Sequence, residues 1–260
     1  MRRFKSLLFI TSLFLALSAK LHSAGGEAEP IKVDWSFKGL TGKFDRASLQ
    51  RGFQVYKEVC SSCHSMQYLS YRNLGEPGGP EFSEQEVKAI AASVEITDGP
   101  DDQGEMFTRP GRPADKFKNP YPNVKASIAA NGGAYPPDMS VLVKARPGGS
   151  NYIYSVLVGY EDPPEGVTLD DGVYYNKYMI GNKIKMSSPL SDDIVEYSDG
   201  TQASVDQMAK DVTTFLSWAA EPELEERHRT GVKVIIYLIL LTTLVYLSMK
   251  KIWSRVDTEV

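Results

Sequence analysis

The chain has only two cysteines and three histidines in 260 residues. A disulfide joining Cys60 to Cys63 would close too small a loop to stabilise much. A zinc site needs four protein ligands, or three and a water. Outside the N-terminal 24 residues only His64 and His228 stand beside the two thiols. Positive charge is also missing. The formal net charge is -4, and residues 25–224 hold 19 basic against 29 acidic side chains, a net of -10. Nucleic-acid binding wants a basic footprint, so no nucleic acid is expected as a partner. A basic partner is favoured instead. No internal repeat is visible. With 21 glycines and 15 prolines the loops should be substantial without being disordered throughout. What remains suits one globular domain with appendages.

Long apolar runs occur only near the two ends. At the N-terminus Arg2, Arg3 and Lys5 precede an apolar stretch over 7–17, with small residues near Ala19 and Ala24. That order reads as a secretory signal over 1–24, the other possibility being an uncleaved anchor. At the C-terminus residues 234–249, VIIYLILLTTLVYLSM, carry no charge. Flanking residues extend this run toward the ~20 residues of a spanning helix. Lys233 and Lys250 can snorkel, and Trp253 suits the interface. The predicted division is a signal over 1–24, a domain outside the cytoplasm over 25–226, a membrane anchor over 227–253 and an inner tail over 254–260. Lys250, Lys251 and Arg255 after the span agree with that orientation. The location implied is a single-pass protein of the inner membrane, its large domain periplasmic.

The two cysteines fall in Cys60-Ser61-Ser62-Cys63-His64. Haem has vinyl groups on adjacent pyrroles. Two thiols three positions apart on a tight helical turn can each form a thioether to one of them. The next histidine is then carried under the ring, where its Nε2 reaches the iron. Disulfide oxidoreductases share the Cys-x-x-Cys spacing, but the adjacent histidine and the export signal fit haem attachment better. One covalently bound haem c is the expected cofactor.

With His22 in the signal and His228 at the membrane, no histidine is left to ligate the iron from the other side. A methionine thioether, soft and favouring ferrous iron, is the natural candidate. Met66 is too close to His64 to reach the opposite face, and Met208 sits on an apolar helical stripe. Met106, Met139, Met179 and Met186 remain open.

Apolar residues at 49, 53 and 56 predict a helix over 44–59 leading into the haem motif. Gly52, a poor helix former, is either a seam for close approach of another helix or incidental. A second helix is predicted over 205–220, started by a capping box of Ser204 and Gln207 and followed by Pro222. Residues 221–229 then read as a linker to the anchor. Ser83 and Glu86 have capping-box spacing before a short helix over 83–94. Weaker helical signals cover 123–130 and 137–146. Residues 75–82 and 97–123, rich in proline, glycine and charge, should wrap the surface. Extended pieces are few, and the fold class is mainly α.

An ordered series of segments carries more. RGFQVYKEVCSSCHSMQYLSYRNL, NPYPN, NGGAYPPDMSVLVKAR, GGSNYIYSVLVGYEDPPEGV and AKDVTTFLSWAAEPE precede the C-terminal apolar run. Together they resemble the cytochrome c1 family, the haem subunit of ubiquinol–cytochrome c oxidoreductase. The resemblance covers nearly all of the chain beyond the signal. It implies a class I cytochrome c-like core with long irregular insertions and one C-terminal transmembrane helix. It implies Met186 as the second iron ligand, in a loop where Ser187 and Ser188 replace residues that are commonly Ala or Pro. It implies that Arg146 pairs with a haem propionate, and that Tyr121, Pro136, Pro137, Tyr152 and Tyr160 belong to the haem pocket. The implied partners are the cytochrome b and iron–sulfur subunits of the same complex, cytochrome c as acceptor, and the lipid membrane. The chain is then no enzyme alone: it receives single electrons from the iron–sulfur subunit and passes them on. Glu95, Asp98, Asp101, Asp102, Glu161 and Asp162 are candidates for an acidic rim that steers a basic acceptor. Two rival readings are another anchored c-type carrier and a haem peroxidase.

Overall fold

The computed structural model describes residues 28–256. The signal at 1–24, with His22, and the last four residues of the inner tail lie outside the described residues.

Two helices form the centre. Helix α1, Arg46–Glu58, begins two residues later than predicted because the Asp45 side chain caps it, accepting from the Ser48 amide at 2.7 Å. It buries Leu49, Gly52, Phe53, Val55 and Tyr56. Next in chain order come α2, Glu84–Ala92; α3, Val124–Ala130; α4, Ser150–Val158; and α5, Val205–Ala220. Helix α5 packs across α1, and Phe53, Tyr56, Phe215 and Trp218 meet between them. Ser204 caps α5 through the Gln207 amide at 3.2 Å, but the Gln207 side chain turns to Asp211 rather than back to the cap. The predicted capping box is therefore half formed. At Ser83 and Glu86 both halves are present.

Gly52 is where α1 and α5 touch. A Cβ there would lie 2.1 Å from the Asp211 carbonyl oxygen and 2.8 Å from the Phe215 Cβ. The glycine is thus a close-approach seam, and backbone, not a flexible tip, stands in the way. Overpacking of this kind costs about 1–3 kcal/mol, occasionally more. We expect Gly52→Ala to lower the chemical-denaturation midpoint by a loss at the top of that range.

Helix α4 was not predicted. Its sequence SNYIYSVLV lacks a clean helical period, and its N-cap is Gly149, which makes no side-chain cap bond. It packs on α5, with Ser150 Oγ 3.0 Å from Ser217 Oγ and the Tyr154 hydroxyl donating to Asp206. The helix expected over 137–146 is absent. Residues 139–146 form consecutive bends and turns instead, because Asp138 accepts from the Ser140 amide at 2.9 Å and draws the chain into a turn. Helix α3 forms as predicted, capped by Asn123.

Among the described residues the strands form two antiparallel pairs, β1 (Glu95–Asp98) with β2 (Phe107–Pro110), and β3 (Tyr174–Tyr175) with β4 (Lys183–Ile184), beside two isolated bridges. Helix α6, Leu224–Val256, spans 33 residues, about 50 Å at 1.5 Å per residue. Its most apolar 18-residue window has a mean hydropathy of 2.1 and is wholly unburied. The predicted linker over 221–229 is largely helix. Only a short turn separates α5 from α6, since Glu225, in the first turn of α6, is held by Arg46 at 2.8 and 2.9 Å and by the Phe44 amide. A carboxylate there also suits the helix dipole.

Candidate haem site

The end of α1 makes the site. A 3-10 turn, Cys60–Ser62, follows it directly. The amides of Cys63 and His64 both donate to the Cys60 carbonyl, at 3.2 and 2.9 Å. The two intervening serines close the turn: Ser61 Oγ donates to Lys57 O at 2.7 Å and Ser62 Oγ to Val59 O at 2.8 Å. Cys60 is buried and Cys63 half-buried, and both are free thiols. Burial, with the neighbouring Cys63, pushes the Cys60 thiol up to about 12, so in the bare chain it stays protonated.

His64 is buried. Its Nδ1 lies 2.8 Å from the Pro137 carbonyl. A carbonyl only accepts, so Nδ1 carries the proton, and Nε2 holds a free lone pair. Burial lowers the ring's pKa, opposed by the Pro137 bond and the Asp138 charge. The ring is therefore a neutral, oriented donor suited to a metal. The Tyr121 hydroxyl is 3.9 Å from Cys63 Sγ. Tyr121, Pro136, Tyr135 and Asn123 line a cleft opening on Cys63.

The open methionines separate. Met106 is 61% exposed on the loop before β2. Met139 is buried, and its amide donates to the Ser65 carbonyl at 2.8 Å, on the same loop as Pro137. Met179 Sδ accepts from the Tyr152 hydroxyl at 3.3 Å. Met186 is half-buried just after β4. Its carbonyl is held by the Tyr160 hydroxyl at 3.1 Å. Lys185 Nζ reaches the Gly132 carbonyl at 3.2 Å, and Ser188 Oγ the Leu190 carbonyl at 3.3 Å. These bonds pin the loop despite its serines. Burial raises the Tyr160 hydroxyl's pKa well above the usual range, so it remains a donor. Met66 and Met208 are fully buried in the core.

Arg146 is exposed, and its Nη1 donates to the adjacent Ala145 carbonyl at 3.0 Å. Among the described residues it meets no carboxylate. Of the suggested rim acids, Asp98 pairs with Arg109, and Asp101 accepts from the Gln103 and Glu105 amides.

Residues 35–256 match the cytochrome C1 family. The chain belongs to the cytochrome c1 family. It is 46% identical over 268 residues to a protein of Rhodospirillum rubrum named cytochrome c1, covering 97% of each chain. It is 50% identical over 222 residues to an Arabidopsis thaliana protein named as a mitochondrial cytochrome c1 heme protein, covering 85% of this chain and 71% of that one. It is 48% identical over 262 residues to a Bradyrhizobium diazoefficiens protein named cytochrome b/c1, covering 94% of this chain and 38% of that protein.

Within this cytochrome c1-type fold, sequence reasoning missed Asp138, Ser65 and Ser140. Asp138 Oδ2 accepts from Ser65 Oγ at 2.7 Å and the Gln67 amide at 3.0 Å, while Oδ1 accepts from the Ser140 amide. An Asp two residues before a Ser is a local turn signal. Nothing local ties it to Ser65, 73 positions away.

Proposed function

We propose that this chain carries one haem c, attached by thioethers from Cys60 and Cys63, and moves single electrons within the cytochrome b-c1 complex. The observation that carries the reading is the tight turn that holds both thiols and a buried histidine with Nε2 unprotonated. The donor set fits the group: two free thiols, one neutral imidazole and accessible thioethers. When bound, a haem supplies reversible one-electron exchange between ferrous and ferric iron.

The chain's residues do the rest. His64 offers Nε2 to the iron, oriented by Pro137. Met186 offers its sulfur from the loop pinned by Tyr160, a soft ligand that favours the reduced state. Arg146, free of any carboxylate among the described residues, is available to a propionate through a bidentate contact. Tyr121, Pro136 and Tyr152 help keep water from the ring. The protein makes and breaks no substrate bonds. Electrons arrive from the iron–sulfur subunit and leave to cytochrome c, with the cytochrome b subunit as neighbour in the membrane. The net charge of -10 over 25–224 favours a basic acceptor. Residues 25–226 then form the periplasmic domain and 227–253 the single inner-membrane anchor, with 1–24 as signal and 254–260 as inner tail.

Purification from membranes tests the reading. The mature chain should show a mass increased by one haem, a Soret band that survives denaturation, and reduction by quinol that antimycin-type inhibitors block. Bare polypeptide mass without a Soret band would sink it.

A further inference from the structure

We propose that Asp138 is a positioning residue for the iron's histidine ligand: its carboxylate clamps the segment after His64 to the loop that presents the Pro137 carbonyl. The inference rests on the haem reading above.

The geometry is specific. Asp138 follows Pro137 directly, and its carboxylate takes three donors from two chain segments. Ser65 Oγ and the Gln67 amide reach one oxygen from the segment after His64. The Ser140 amide reaches the other from its own loop. Backbone bonding runs in parallel, with the Met139 amide on the Ser65 carbonyl at 2.8 Å. Ser140 Oγ closes the circuit by accepting from the Tyr68 amide at 3.1 Å. The pair His64 Nδ1 and Pro137 O therefore sits inside a frame whose other crossings centre on one carboxylate. Burial opposes the charge, but the Ser140 and Ser65 bonds hold its pKa below the usual carboxylate range. It thus stays an acceptor on both oxygens. An amide cannot replace it. The change Asp138→Asn would present an NH2 to either the Gln67 amide or the Ser140 amide, donor against donor.

Two effects on the iron follow, with one sign. A fixed Nδ1–H···O bond makes Nε2 a richer electron donor, which favours ferric iron. A negative charge near the ligand does the same. Neither effect requires Asp138 to touch the ring.

The test uses the whole complex purified from membranes, with Asp138→Asn, Asp138→Ala and Ser65→Ala variants. Readouts are the haem's midpoint potential and the electron paramagnetic resonance of its ferric form, with haem content checked by mass. We expect both Asp138 variants to raise the potential and to shift or broaden the ferric signal. Ser65→Ala, which keeps the charge and removes one bond, should shift the signal less and move the potential little. An unchanged potential and unchanged signal in Asp138→Asn, with haem still attached, overturns the clamp. A raised potential in Asp138→Asn with an unchanged ferric signal would leave only a charge effect and likewise overturns the clamp. Should Asp138→Ala fail to mature, the other two variants decide. Loss of haem from the unmutated protein would instead count against the haem reading itself.

Discussion

Met186→Leu should lower the midpoint potential of the haem, whereas Met179→Leu should leave it nearly unchanged. A thioether is a soft ligand and stabilises ferrous iron; leucine offers no lone pair, so the reduced state loses that preference. One decade in the ferrous–ferric ratio is about 59 mV for a one-electron couple, and the Met186 change should exceed one decade. Met179 gives its sulfur to the Tyr152 hydroxyl at 3.3 Å, so its replacement costs one weak hydrogen bond and some packing. The same pair gives a second readout. Carbon monoxide should bind the reduced Met186→Leu haem readily and the Met179→Leu haem poorly. Redox titration of both purified variants checks the order. Equal shifts, or a larger one at Met179, would refute the assignment.

Arg51→Ala should be the most destabilising change outside the haem motif. Arg51 Nε and Nη2 grip Asp211 at 2.8 and 3.1 Å, and Nη1 holds Asp199 at 2.8 Å. The guanidinium also lies over the Tyr197 ring, 5.8 Å from its centroid. The Asp211 side chain is 0% exposed. Removing the arginine strands that carboxylate inside the α1–α5 seam, with neutral partners such as the Gln207 amide left to it. Breaking a buried pair costs about 3–5 kcal/mol, a large share of the roughly 5–15 kcal/mol that holds a typical domain. The double variant Arg51→Ala, Asp211→Ala should recover part of the loss, because the unpaired charge is gone. Chemical denaturation of the singles and the double checks this. Additive losses would show that the pair does not act as a unit.

These cases show what was legible in the sequence. The haem motif was, because its chemistry demands five consecutive residues. Helices α1, α2 and α5 were too: the spacing of Leu49, Phe53 and Tyr56 marks the first, and Ser83 and Ser204 mark the starts of the other two by local bonds. Helix α4 was not: its start at Gly149 carries no side-chain cap, and its apolar residues occupy more than one face. The turns over 137–146 were misread for a related reason. A local helical pattern lost to the hydrogen bonds of Asp138, whose partner Ser65 is far off in the chain. Asp211 lies on an amphipathic helix yet is fully buried, and the arginine that makes this tolerable comes from the crossing with α1, which no local pattern announces. The start of α6 was placed too late because Arg46, again distant, stabilises Glu225 in its first turn.

The way α6 leaves the domain has a mechanical consequence. Glu221 is tied to Lys144 at 2.7 Å and to Arg227, Glu225 to Arg46, and His228 Nδ1 sits 3.2 Å from the Gly42 carbonyl. Head and stalk thus meet through a braced joint rather than a swivel. Under the proposed function, the haem of this head then keeps a constant elevation over the bilayer, and thermal searching and docking fall to the carriers that visit it.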